Sequence, residues 1–187
     1  WAFGLTTVDR APKPAFAAVQ HLFQVAPYFP LPHHPSVSVV IANYNGERTL
    51  DLCLRSLRNL NYPAYEVILV DDGSTDRSRE IAREYAFVRV IAHPANKGLS
   101  VARNTGIAAS NGQIVAFTDS DCRADEDWLF YLIGDLLNSK FAGIGGHNLL
   151  PPDDSWIATC VMASPGGPAH VMLTDRLAEH IPGCNMA

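Results

Sequence analysis

The sequence has no run of about 18 apolar residues, no block of lysine or arginine and no CxxC pair, and each absence removes a class of protein. Without the apolar run there is no membrane-spanning helix to place, and residues 1–24 lack the basic start and apolar middle of a signal peptide. The 14 basic residues are scattered along a chain of net charge -5, so nothing can track a phosphate backbone, which argues against nucleic acid as a partner. Cys53, Cys122, Cys160 and Cys184 stand far apart and read as reduced thiols, not as a zinc knuckle or disulfide framework. The seven histidines show no HExxH or other paired spacing and read as ordinary core or surface side chains. No GxxxxGK[ST] loop occurs, and the first apolar run leads into ANYNGE where a dinucleotide-binding enzyme needs GxGxxG.

What is present is a core and a regular alternation. A chain of 187 residues, 48% hydrophobic, is large enough to bury a substantial interior. Residues 25–35, VAPYFPLPHHP, hold four prolines in eleven positions and read as an extended linker, 25–36, between an N-terminal appendage (1–24) and the main domain (37–187). Within that domain VSVVIA (37–42), EVILV (66–70), FVRVIA (87–92) and IVAFT (114–118) are short strands rich in β-branched residues. Helices are predicted between them. Leu50, Leu54, Leu57 and Leu60 have helical spacing, Ser74 or Thr75 can cap a second helix through Tyr85, Gly98 precedes a third, and a fourth starts near Asp125 and ends at Asn138. The fold class is therefore α/β, alternating, with a mostly parallel sheet covered on both faces.

In such a sheet ligands bind beyond the carboxyl ends of the strands. Those ends here are polar: Asn43-Tyr44-Asn45-Gly46, Asp71-Asp72-Gly73-Ser74, His93 to Lys97, and Asp119-Ser120-Asp121. Residues i and i+2 of an extended segment point the same way, roughly 6.6 Å apart, so Asp119 and Asp121 can reach one hard cation. A DxD alone is commonly a solvated turn; its place at the end of a buried strand gives it meaning. Asp71-Asp72-Gly73-Ser74 also reads as a helix-capping turn. Asp125, Glu126 and Asp127 read as first-turn acids that oppose the helix dipole and stay outside the site.

SVSVVIANYN, EVILVDDGSTD, NKGLSVARNTGI and IVAFTDSD, in that order, resemble glycosyltransferase family 2, and the resemblance runs over residues 36–187. It implies a GT-A fold and inverting transfer of a sugar from a nucleotide diphosphate sugar, a UDP-sugar by preference, to a glycan or other acceptor, with Mg²⁺ or Mn²⁺. It implies that Asp71 meets the base with Asp72, Tyr44 and Asn45 close by, that Lys97 and Arg103 lie beside the nucleotide, that Asp119 faces ribose or sugar, and that Asp121, with Asp119, holds the metal. A diphosphate needs such a cation to enter an acidic pocket, and the cation stabilises the departing diphosphate. The family's catalytic base is an acid beyond a GCNMA-like stretch, so the resemblance places it after Ala187; among the late acids here, Asp153, Asp154, Asp175 and Glu179 match no motif. The expectation is a donor-binding piece of a larger cytoplasmic polysaccharide-making enzyme, attached to a membrane through other segments. The alternative is a nucleotide-sugar-binding module without activity. WAFGLTTVDRAPKPAFAAVQHLF also resembles the end of a glycoside hydrolase barrel.

Overall fold

A computed structural model describes residues 11–13, 16–17, 31–146, 148–150, 155–163 and 183–187. The chain divides into two compact units, Trp1–His33 and His34–Ala187. In the first, the described residues form a short turn in which Phe16 N donates to Lys13 O at 2.8 Å. Most of the predicted barrel-like strand and helix, and linker residues 25–30, fall outside the described residues.

The second unit is built on four strands: β1 (Val37–Asn43), β2 (Tyr65–Asp71), β3 (Val88–Ala92) and β4 (Ile114–Asp119). Their order is β3-β2-β1-β4 and every pairing is parallel. Parallel strands need crossovers, which helices supply: α1 (Leu50–Arg58), α2 (Ser78–Arg83) and α3 (Leu99–Ala109), with α4 (Trp128–Leu137) and α5 (Trp156–Ala163) following the last strand. Val40, Ile68, Val70 and Phe117 share one sheet face with Ala102 of α3 packed on it. Gly106 allows that approach, since a methyl there would strike Val40. By the two-residue period Val39, Ile41, Val67 and Leu69 occupy the other face, and all are buried, as are Leu50, Leu54 and Leu57 of α1 and Leu129 and Ile133 of α4.

Two helix starts differ from the sequence reading. α2 begins at Ser78 rather than Ser74, and no side chain caps it; Ser74, Thr75 and Asp76 are committed to another loop, described below. α4 begins at Trp128, so Asp125, Glu126 and Asp127 precede the helix. There Asn61 donates to Glu126 O at 2.7 Å and to Asp127 Oδ1 at 3.0 Å, fastening that loop to the end of α1.

Residues 185–187 lie between β4 and residues 144–146. Phe117 N donates to Met186 O at 2.8 Å, Ile144 N to Ala187 O at 2.7 Å and Gly146 N to Asn185 O at 3.2 Å. These antiparallel bridges cover the β4 edge of the sheet.

Candidate functional site

The carboxyl ends of β1 and β4 open into a cleft of about 700 Å³. Its walls come from the β1–α1 turn (Tyr44 to Thr49), the β4 turn (Asp119, Ser120, Asp121), Asp76 and Leu99. Tyr44 is 53% exposed and Leu99 52% exposed, so each offers an apolar surface to an occupant.

The β1–α1 turn is fastened to the loop after β2 by bonds running in both directions. Asn45 N donates to Ser74 Oγ (2.9 Å), Gly46 N to Ser78 Oγ (3.0 Å) and Glu47 N to Asp76 Oδ2 (3.0 Å). In return Thr75 N donates to Asn45 Oδ1 (2.9 Å) and Arg77 N to Glu47 Oε2 (3.1 Å). Asn45 adopts the left-handed conformation, φ 53°, that asparagine tolerates better than most residues. The next residue must be glycine for a steric reason: a Cβ on Gly46 would collide with Asn43 Oδ1, the one buried side-chain oxygen or nitrogen among the described residues without a hydrogen-bond partner. Asp76 is held below the usual carboxylate range: burial opposes its charge, and the bonds from Ser78 and Glu47 N outweigh that cost.

Asp71 and Asp72, expected to meet the base, are turned inward. Asp71 is fully buried, ion-paired to Arg79 Nε and accepting from Asn43 Nδ2 at 3.1 Å and Ser74 N at 3.2 Å. Asp72 is 3% exposed; its carboxylate accepts from Lys97 N (3.0 Å) and Gly98 N (2.8 Å), and His93 Nδ1 lies 2.6 Å away. Burial opposes its charge, and these bonds prevail, leaving its pKa lowered. In this structure neither carboxylate is open to a ligand. Both instead hold strand ends and the start of α3 in place. Lys97 contributes its backbone to Asp72 while its side chain is exposed outside the cleft walls.

Of the expected residues, Tyr44, Asn45, Asp119 and Asp121 line the cleft, and Arg103 reaches it through Asp119, Nη2 to Oδ1 at 3.0 Å. Glu47, Arg48, Asp76, Leu99 and Ser120 also belong to it; the sequence reading missed them. Among the charged lining residues Glu47, Asp76 and Asp119 are engaged with protein donors. Asp121 is exposed and makes no ion pair among the described residues, where it accepts only a weak 3.8 Å contact from Cys122 Sγ. Arg48 is exposed and makes no hydrogen bond or ion pair among the described residues. A free carboxylate and a free guanidinium therefore face one cleft. Asp119 and Asp121 offer hard oxygen donors suited to Mg²⁺ or Mn²⁺. No group of three or more His, Cys, Asp or Glu side chains among the described residues could hold a metal, so a cation at this pair would draw its other ligands from the occupant and from water.

The fold is that of an α/β domain of the GT-A kind, with a cleft at the carboxyl ends of its strands. The family model described as glycosyl transferase family 2 matches residues 38–159, and the chain belongs to that family. Glycosyltransferase AglE of Haloferax volcanii is 35% identical over 119 residues, 60% of this chain and 39% of its own length. The crystal structure of S. aureus TarS 1-349 with UDP-GlcNAc superposes with a TM-score of 0.54 at 25% identity, over 62% of this chain and 37% of that one. Glucosyl-3-phosphoglycerate synthase of Mycobacterium tuberculosis, with Mn²⁺, UDP and glucosyl-3-phosphoglycerate, gives 0.50 at 29% identity, over 57% and 41%. The chain spans 27%, 39% and 26% of the length of three curated relatives. No helix among the described residues is long and apolar enough to cross a membrane.

Proposed function

We propose that the cleft binds a nucleotide diphosphate sugar, a UDP-sugar by preference, together with Mg²⁺ or Mn²⁺ held by Asp121 and Asp119, and that the parent enzyme transfers the sugar with inversion to a glycan acceptor in polysaccharide synthesis. The observation that carries this reading is the pair of carboxylates at the end of β4, one of them free, facing the cleft that Tyr44 and Leu99 line. UDP and a UDP-sugar occupy the related structures, which supports the donor class. Tyr44 and Leu99 supply apolar surface for the base, and Arg48 supplies a cation for the diphosphate. Bound there, the divalent cation would offset the diphosphate charge and favour its departure. Asp71 and Asp72 act as posts that set the strand ends, and contact between Asp71 and the base would need the buried site it shares with Asn43, Ser74 and Arg79 to open.

The acceptor hydroxyl must lose a proton as it attacks. Asp121 is the free acid of the cleft among the described residues, and its role is on the donor side. The base is thus assigned elsewhere; Asp153, Asp154, Asp175 and Glu179 lie outside the described residues. Donor binding without acceptor-dependent transfer is the expected behaviour of these 187 residues, and labelled UDP-glucose with a panel of glycan acceptors checks it. Calorimetry tests the donor reading directly. UDP should bind with Mn²⁺ at least about tenfold more tightly than in chelator, and Asp121→Asn should abolish the difference, a free-energy change of about 1.4 kcal/mol or more. Equal affinity in chelator would sink the reading.

A further inference from the structure

Arg103 lies in a slot fitted to its guanidinium. Nη2 donates to Asp119 Oδ1 at 3.0 Å, and the guanidinium carbon stands 6.0 Å from the centre of the Phe117 ring. A third wall is the backbone at Gly183, where a methyl group would overlap the guanidinium carbon and both terminal nitrogens. The slot is registered by the sheet: Phe117 exchanges backbone bonds with Met186, which fixes the Gly183–Ala187 stretch beside β4. Arg103 keeps 21% of its side chain exposed and Asp119 36%, so the pair is accessible from the cleft.

Two carboxylates one residue apart repel each other, and Arg103 neutralises one of them. The second oxygen of Asp119, Oδ2, has no partner among the described residues, so a divalent cation or a donor hydroxyl that reaches it comes in beside the guanidinium charge. We propose that Arg103 is a placeholder cation: it occupies Asp119 when the cleft holds no donor, and yields that carboxylate when cation and nucleotide arrive together, with Gly183 admitting it to the slot. The inference rests on the donor reading above and adds to it an order of preference. A cation arriving alone must displace Arg103 or sit against its charge with no compensation, whereas a cation arriving with a diphosphate brings an anion to which the released guanidinium can turn. Free metal is thereby disfavoured relative to metal with nucleotide. Because both partners of the ion pair are partly exposed, its removal should change the affinity for free cation by no more than about fivefold.

The experiment compares the intact chain with Arg103→Gln and Gly183→Ala. Binding of Mn²⁺ alone is followed by water-proton relaxation, and binding of UDP at saturating Mn²⁺ by calorimetry. Both variants should bind Mn²⁺ alone more tightly than wild type, by up to about fivefold. They should then part company. Arg103→Gln, which has lost the cation, should bind UDP with Mn²⁺ more weakly, while Gly183→Ala, which displaces the guanidinium but retains its charge, should keep UDP affinity within about twofold, the change expected when no charged contact is lost. Since Gly183→Ala conserves charge, its effect reports the location of Arg103 and not the field of the cleft. Wild-type Mn²⁺ affinity in both variants, alongside normal Mn²⁺-dependent UDP binding, overturns the placeholder and leaves the donor reading standing. UDP affinity that does not depend on Mn²⁺ in any of the three proteins overturns both.

Discussion

Cys53 and Cys122 show how residue environment controls chemistry beside the cleft. Cys53 is buried at 1% exposure under the β4 turn, its thiol donating to Asp119 O at 3.5 Å. Burial, reinforced by Cys122, Asp121 and Asp119, pushes its pKa up to about 12. Cys122 is raised to about 12 as well, by burial first and then by Cys184 and the same two aspartates. The thiolate is the nucleophile, so neither sulfur should react at ordinary pH. Cys160 is exposed on α5. At pH 8 an alkylating reagent should label Cys160 within minutes and leave Cys53 and Cys122 unmodified, as peptide mass spectrometry would record; fast labelling of Cys53 in folded protein would show that its burial is misjudged. All four cysteines are free. The crowding of Cys53 and Cys122 near Asp119 could not be read, because the two come from elements separated by two crossovers.

The loop-to-loop fastening of Asn45–Glu47 to Ser74–Ser78 gives the element scale its own test. Asp76 accepts from Glu47 N across the loops and from Ser78 N and Oγ within its own, the backbone bonds at 3.0 Å. An asparagine there would present a donor where one of these acceptors is needed, at a cost of about 1 kcal/mol in this solvent-screened position. Because the Asp76 pKa is lowered, its contribution is fully present above the unfolded value and is lost as pH falls through the folded one. The wild-type protein should therefore be more stable than Asp76→Asn at pH 7, and the difference should close below pH ~4. Thermal unfolding of both proteins across pH checks this, and a gap that persists at pH 2 would refute the assignment. This fastening also marks the limit of sequence reasoning. The strands and their order along the chain were legible from β-branched runs, and the DxD edge from its position after one of them. Asp71-Asp72-Gly73-Ser74 read as a ligand-facing strand end or a helix-capping turn, because nothing local announces that Arg79, His93 and the start of α3 fold over it. Ser74 looked like a helix cap, because its true partners lie some thirty residues away in the β1–α1 turn.

At the scale of the whole molecule, one compact unit, His34–Ala187, carries the entire cleft, with one wall of the Arg103 slot supplied by the distant Gly183. The bridges from Met186 to Phe117 and Gly145 have a consequence for behaviour in concentrated solution. They leave the sheet with unequal borders: β4 is already partnered, while β3 has no strand on its outer side among the described residues. An unpartnered border is a template for another chain, and proteins blunt it with brevity and charge. β3 has both, being five residues long with Arg89, its second residue, exposed and anchored to Ala109 O at 2.9 Å. Arg89→Val should accordingly leave Mn²⁺-dependent UDP binding intact yet promote self-association on warming, which light scattering would detect as particles that wild type does not form. Monodisperse Arg89→Val protein would mean that brevity alone protects the border. Colloidal stability would thus depend on the side of the sheet opposite the one that shapes the cleft.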